Sequence, residues 1–81
     1  MWSSPPPTLL GEHTVEAAIT SASGTGWFVD QPDPTLPWKG TEINPLCFPL
    51  HTDLSKVGVG TWVRLHIRRY ERGTLVEAEL L

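Results

Sequence analysis

The sequence predicts an all-β fold, a small barrel of five strands, and three observations carry that prediction. In TWVRLHIRRY, residues 61–70, Val63, Leu65 and Ile67 alternate with Trp62, Arg64, His66 and Arg68, the period of two of a half-buried strand. The same alternation runs through HTVEAAIT near the start and TLVEAELL at the end. No segment of ten or more residues repeats at helical spacing. In 81 residues, strands without a covering helix bury their apolar face best by curling into a closed or nearly closed barrel.

The elements follow in order. Residues 1–11 read as a flexible proline-rich tail, because Pro5-Pro6-Pro7 offers no donors to a sheet and favours an extended polyproline path. Residues 12–81 form the single folded domain. Val15, Ala17 and Ile19 mark the inward face of the first strand. The cluster Ser21 to Gly26 is a generous turn leading into the apolar run Trp27-Phe28-Val29, and the two strands read as a hairpin. Residues 30–46 hold four of the eight prolines and read as a long loop. Cys47 to Leu50 can form a short strand, which Pro49 restricts to an edge or a bulge. Thr52 to Ser55 suits one helical turn capped by Thr52 or Asp53. The alternating runs at 61–70 and 74–81 make the closing hairpin around Glu71-Arg72-Gly73. An OB-type barrel and an SH3-like barrel both accommodate these elements.

Composition narrows the chemistry. The start MWSSPPPTLL lacks a basic segment followed by an apolar run, and no stretch approaches the length of a membrane span. The lone Cys47 forms no internal disulfide, and its expected place is as a small buried apolar group. These features point to a cytoplasmic protein stabilised by packing, with no cofactor, and with a monomer and an edge-paired dimer both open. Catalysis needs a nucleophile with its base or paired carboxylates in a pocket, and nothing is spaced for either, so the chain is not read as an enzyme. The net charge of −3 disfavours phosphate binding overall. Residues 61–72, however, carry Arg64, Arg68, Arg69 and Arg72 against Glu71, a local balance of +3. That strip is either a phosphate contact or a solvated strand face.

The order of three short motifs resembles the cold-shock domain, a family of five-stranded OB barrels that bind single-stranded RNA and DNA. Ser23-Gly24-Thr25-Gly26-Trp27-Phe28 is similar to its first signature, and Cys47 to Leu54 to its second. Gly60-Thr61-Trp62-Val63-Arg64-Leu65 is similar to the entry into its fourth strand. The likeness spans about residues 12–80. It implies that Trp27 faces outward and Phe28 inward, and that Trp27, Phe48 and His51 remain from a larger base-stacking platform. Stacking of that kind contributes about 1–3 kcal/mol per base. Ser23 and Thr25 stand where the family has lysine and an aromatic, and Leu50 and His51 replace its histidine and the aromatic after it.

Two functions follow as expectations. The first is a non-catalytic module for single-stranded RNA or DNA, with Trp27, Phe48 and His51 against bases and Arg64, Arg68 or Arg69 against phosphates. Trp38 and Trp62 join that set only if the geometry brings them near. The second is a barrel that has lost nucleic-acid binding and serves protein interaction through the loop carrying Trp38. For Phe48 alone, stacking outward and plugging the barrel are equal readings, and His51 also fits a satisfied polar residue at a strand end.

Overall fold

The computed structural model describes residues 7–35 and 39–81. Six strands run through it: β1 (Leu9–Ala18), β2 (Ser21–Ala22), β3 (Trp27–Asp30), β4 (Gly40–Ile43), β5 (Trp62–Tyr70) and β6 (Gly73–Leu80). Two single turns of 3-10 helix, Pro45–Cys47 and Leu54–Lys56, lie between β4 and β5.

The strands form two antiparallel three-stranded sheets, β1-β5-β6 and β2-β3-β4. The chain passes between them at Ile19 and Thr20. Ile19 bonds to the backbone of Gly60 and Thr61, beside β5, while the Thr20 amide donates to the Phe28 carbonyl in β3. One bent strand path therefore feeds both sheets, the device by which a strand turns a corner between packed layers. Followed through that corner, the strand order is β6-β5-β1/β2-β3-β4, and among the described residues no ladder joins β4 to β6. The all-β class is as expected, but of the closed or nearly closed barrel no closed form is found among the described residues, and a seam remains open between the two end strands.

Alternation sets the core. Val15 and Ala17 from β1, with Val63, Leu65 and Ile67 from β5 and Ala78 from β6, face Val29 and Ile43 from the other sheet. Ile19 at the corner and Phe48 beyond the first 3-10 turn complete the buried cluster. No polar or charged side chain is buried among the described residues, so no desolvated polar group works against packing.

The closing hairpin pairs as the sequence indicates, with Leu65 opposite Ala78 and Ile67 opposite Val76. The helical turn near residue 54 also forms, capped by Asp53, whose carboxylate accepts from the Ser55 amide at 3.1 Å.

Three expectations are corrected. β1 starts at Leu9, so Leu9 and Gly11 pair with Tyr70 and Arg69 inside the stretch read as tail; residues 1–6 lie outside the described residues. Gly40 to Ile43, read as loop, is a strand against β3. Its entry needs a glycine, because Gly40 has φ +113°, a region closed to most side chains. The Cys47–Leu50 strand does not exist. Asn44 accepts from the Leu46 amide at 2.9 Å and Pro45 opens the helical turn, the preferred chemistry for a helix start.

Candidate functional site

The turn Ser23–Gly26 is fixed from three directions. The Ser23 amide donates to the Gly26 carbonyl at 2.9 Å, and the Gly26 amide returns a bond to the Ser23 hydroxyl at 3.1 Å. The Ser23 and Thr25 hydroxyls both donate to Glu42 Oε1 on β4, at 3.2 and 3.1 Å. Gly26 is required by proximity: a Cβ there would overlap the Ile43 carbonyl oxygen and lie 2.8 Å from Asn44 Cα. The two glycines therefore do different jobs. Gly24 has open space around it, while Gly26 lets the loop lie flat against the end of β4.

The strand that follows reverses the expected facing. Trp27 packs against the core cluster on the same face as buried Val29, and Phe28 points to the opposite face. There it covers Gly40, whose added Cβ would sit 3.1 Å from Phe28 Cζ. Aromatic cover of a diagonal glycine is a recognised way to steady a strand edge. Trp27 meets Phe48 edge to face, with centroids 6.0 Å apart and planes at 89°. Phe48 itself is only 5% exposed and plugs the core. Two of the three residues expected against bases, Trp27 and Phe48, instead meet each other edge to face.

Two arginines of the basic strip are likewise engaged. On the outer face of the β1-β5-β6 sheet, Arg64 lies between Glu16 (3.4 Å) and Glu79 (3.2 Å). Arg68 lies between Glu12 (3.3 Å) and Glu77 (3.2 Å). The pairing follows from register, since Glu16 and Glu79 stand directly opposite Arg64 and Glu12 opposite Arg68. Bonds donated to Glu79 and Glu12 respectively hold the two guanidinium groups above their ordinary range. Between them His66 completes the row. A ring protonated on Nε2 donates to Glu79 at 3.1 Å and leaves Nδ1 to accept from the Thr14 hydroxyl at 3.4 Å. The His66 bond, then that of Arg64, holds the Glu79 carboxyl below its ordinary range, against a small opposing effect of burial. Four glutamates surround two arginines, so this face carries net negative charge.

The remaining expected residues do not join these. Arg69 is on the other face of β5 by alternation and is exposed at the far end of the sheet. His51 is exposed in the turn after Pro49. Trp38 lies outside the described residues. Trp62 is 57% exposed at the start of β5, on the arginine face. Cys47 is partly buried against the core.

Sequence reasoning missed a different feature, the open seam. Along the free edge of β6 two adjoining concavities of about 480 and 400 Å³ share Leu46, Cys47, Leu75 and Val76 as walls. Leu46 is 90% exposed and Leu75 46%. The Asn44-Pro45 pair was the available signal, because a helix start there lifts Leu46 off the sheet while turning Phe48 into it. Among the described residues no group of three or more His, Cys, Asp or Glu is arranged to hold a metal ion, and no helix is long and apolar enough to cross a membrane.

Comparison with models of known families, with characterised proteins and with solved structures returned no match in any of the three.

Proposed function

We propose that this chain is a non-catalytic protein-interaction module built on a half-open, OB-like strand order. The strand order β6-β5-β1/β2-β3-β4 supports the OB-like reading, because a partly open barrel of five strand paths is the shape of that fold. The first strand path pairs with β5 and β3 on its two sides, with β6 outermost.

One observation carries the functional choice: the two arginines of the strip that share the outer sheet face, Arg64 and Arg68, are each held between two glutamates. A single strand bound there would have to approach a face of net negative charge, where the phosphate term opposes association. The other components of a nucleic-acid platform are also committed elsewhere. Trp27 and Phe48 are packed together. Leu46 and Leu75, two of the exposed large apolar side chains, instead stand together beside the seam, the kind of surface that meets a protein.

The test is a titration with fluorescein-labelled single-stranded DNA and RNA oligonucleotides at low and moderate salt. The expected result is no salt-sensitive binding even at low salt, where phosphate attraction is strongest. Binding that weakens with salt and is lost in Arg64→Gln/Arg68→Gln would overturn the interaction-module reading in favour of the nucleic-acid one.

A further inference from the structure

Resting on the interaction-module reading, we infer that the seam beside β6 takes one extended segment of a partner protein, added as a further strand, with apolar and Lys/Arg side chains alternating along it. Three features converge on this occupant.

The first is backbone chemistry. β6 is the last strand of its sheet, and every second residue along Thr74 to Glu79 directs its N–H and C=O away from β5. Such an edge is a template for strand addition. Six residues offer about 20 Å of pairing at ~3.3 Å each.

The second is the shape alongside that edge. The adjoining concavities follow β6 from Thr74 to Glu79 and continue to β4 at Thr41 and Glu42. The 3-10 turn roofs the inner side with Leu46 and Cys47. A strand laid in this space continues both faces of the sheet. Its inward side chains meet Leu46, Cys47 and Val76, which calls for apolar residues. Its outward side chains extend the row formed by Glu77 and Glu79.

The third is charge, which selects the occupant. The outer rim belongs to a face where Glu12, Glu16, Glu77 and Glu79 outnumber Arg64 and Arg68. Across the seam, the Glu42 carboxylate accepts only from the Ser23 and Thr25 hydroxyls among the described residues. A second copy pairing β6 to β6 would bring Glu77 and Glu79 of one chain against those of the other, and like charges on adjacent strands repel. Lysine or arginine at alternate positions answers the same rim with attraction.

The probe is a fluorescein-labelled heptapeptide, Arg-Val-Arg-Val-Arg-Val-Arg, titrated into the full chain and followed by anisotropy. Backbone amide exchange is followed by NMR. Its controls are the same residues in block order, Arg-Arg-Arg-Arg-Val-Val-Val, and the alternating peptide N-methylated on the amides of one edge. The alternating peptide should bind at least about tenfold tighter than the block peptide, and N-methylation should weaken it about fivefold or more per lost bond. Protection from exchange should appear at alternate amides of Thr74 to Glu79. Leu46→Ser, at a side chain too exposed to support the fold, should weaken binding several-fold with the melting temperature unchanged. Equal binding of the alternating and block peptides, protection confined to other strands, or a peptide-free dimer with β6 already protected would each overturn the inference. Failure of the peptide with oligonucleotides also silent removes only this groove, whereas oligonucleotide binding at the arginines removes the reading beneath it.

Discussion

Trp27 and Phe48 meet at right angles, ring centroid to ring centroid over 6.0 Å, and that contact joins the second sheet to the segment leaving it. Phe48 follows a 3-10 turn rather than sitting on a strand, so the tryptophan and the core are what hold its ring in place. An edge-to-face pair adds about 0.5–1.5 kcal/mol beyond the area it buries.

Trp27→Ala should therefore act on stability. The loss should be about 2–4 kcal/mol, from the lost ring contact and the cavity left beside Phe48. At roughly 4–8 °C per kcal/mol for a domain of this size, a thermal melt should fall by about 8–30 °C. Trp27→Phe should recover part of that loss. A Trp27→Ala protein that melts with the wild type would show that the ring is not a packing element.

Gly26→Ala should be costly and Gly24→Ala nearly neutral, although the two glycines are one residue apart. At Gly26 the new methyl group meets backbone at Ile43 and Asn44, which cannot move without shifting the end of β4. A cost of about 2 kcal/mol or more is expected. Gly24 has no neighbour within 4 Å and no positive φ, so its change should stay within about 0.5 kcal/mol. Urea melts of the two variants side by side measure the difference, and similar midpoints would contradict the close approach.

That pair of glycines also shows what the sequence makes legible. Period two exposed β5 and β6 completely, because each residue's neighbours on the strand determine its face. The all-β class followed from the same signal. Trp27 and Phe28 were harder, since a two-aromatic run fits either facing. The choice is made by Ile43 opposite Trp27 and by Gly40 diagonal to Phe28, both on β4. That strand was hidden among prolines and opens on a glycine, two features that ordinarily signal loop. Hiding β4 also hid Glu42, and with it the reason Ser23 and Thr25 stand in the first motif. The arginine strip was visible as charge, but its neutralisation depends on the register between β1, β5 and β6, which local composition does not encode.

Acid should destabilise the fold in a defined window. Glu79, Asp53 and Asp33 have folded-state pKa values below their ordinary ones. The causes are bonds from His66 and then Arg64, from the Ser55 hydroxyl and amide, and from the Thr35 amide and hydroxyl, respectively. The unfolded chain binds protons more readily at these sites, so their contribution is complete above the unfolded carboxylate range of about 4 and is lost as pH falls through the lower folded values. Melting temperature should be independent of these groups from neutral pH down to roughly 5, then drop. Glu79→Gln should flatten part of that drop. A variant with the full acid slope of the wild type would show that Glu79 does not contribute to it.

The glutamates that silence the arginines should be separable from the fold. Changing Glu12, Glu16, Glu77 and Glu79 together to glutamine leaves Arg64 and Arg68 unopposed on the outer face, with its charge turned from negative to positive. The side chains involved are all exposed or half-exposed, where ion pairs contribute little to stability, so the variant should fold. It should also gain weak affinity for single-stranded DNA that the wild type lacks. Its salt dependence should be shallow, since two cations at about −0.7 per neutralised phosphate give a log–log slope near −1.4. Anisotropy titrations across a salt series would measure both affinity and slope. A folded variant that stays silent at low salt would mean that charge is not what withholds this face from nucleic acid. The inward turn of Trp27 and Phe48, which removes the stacking surface, would then be the sufficient cause.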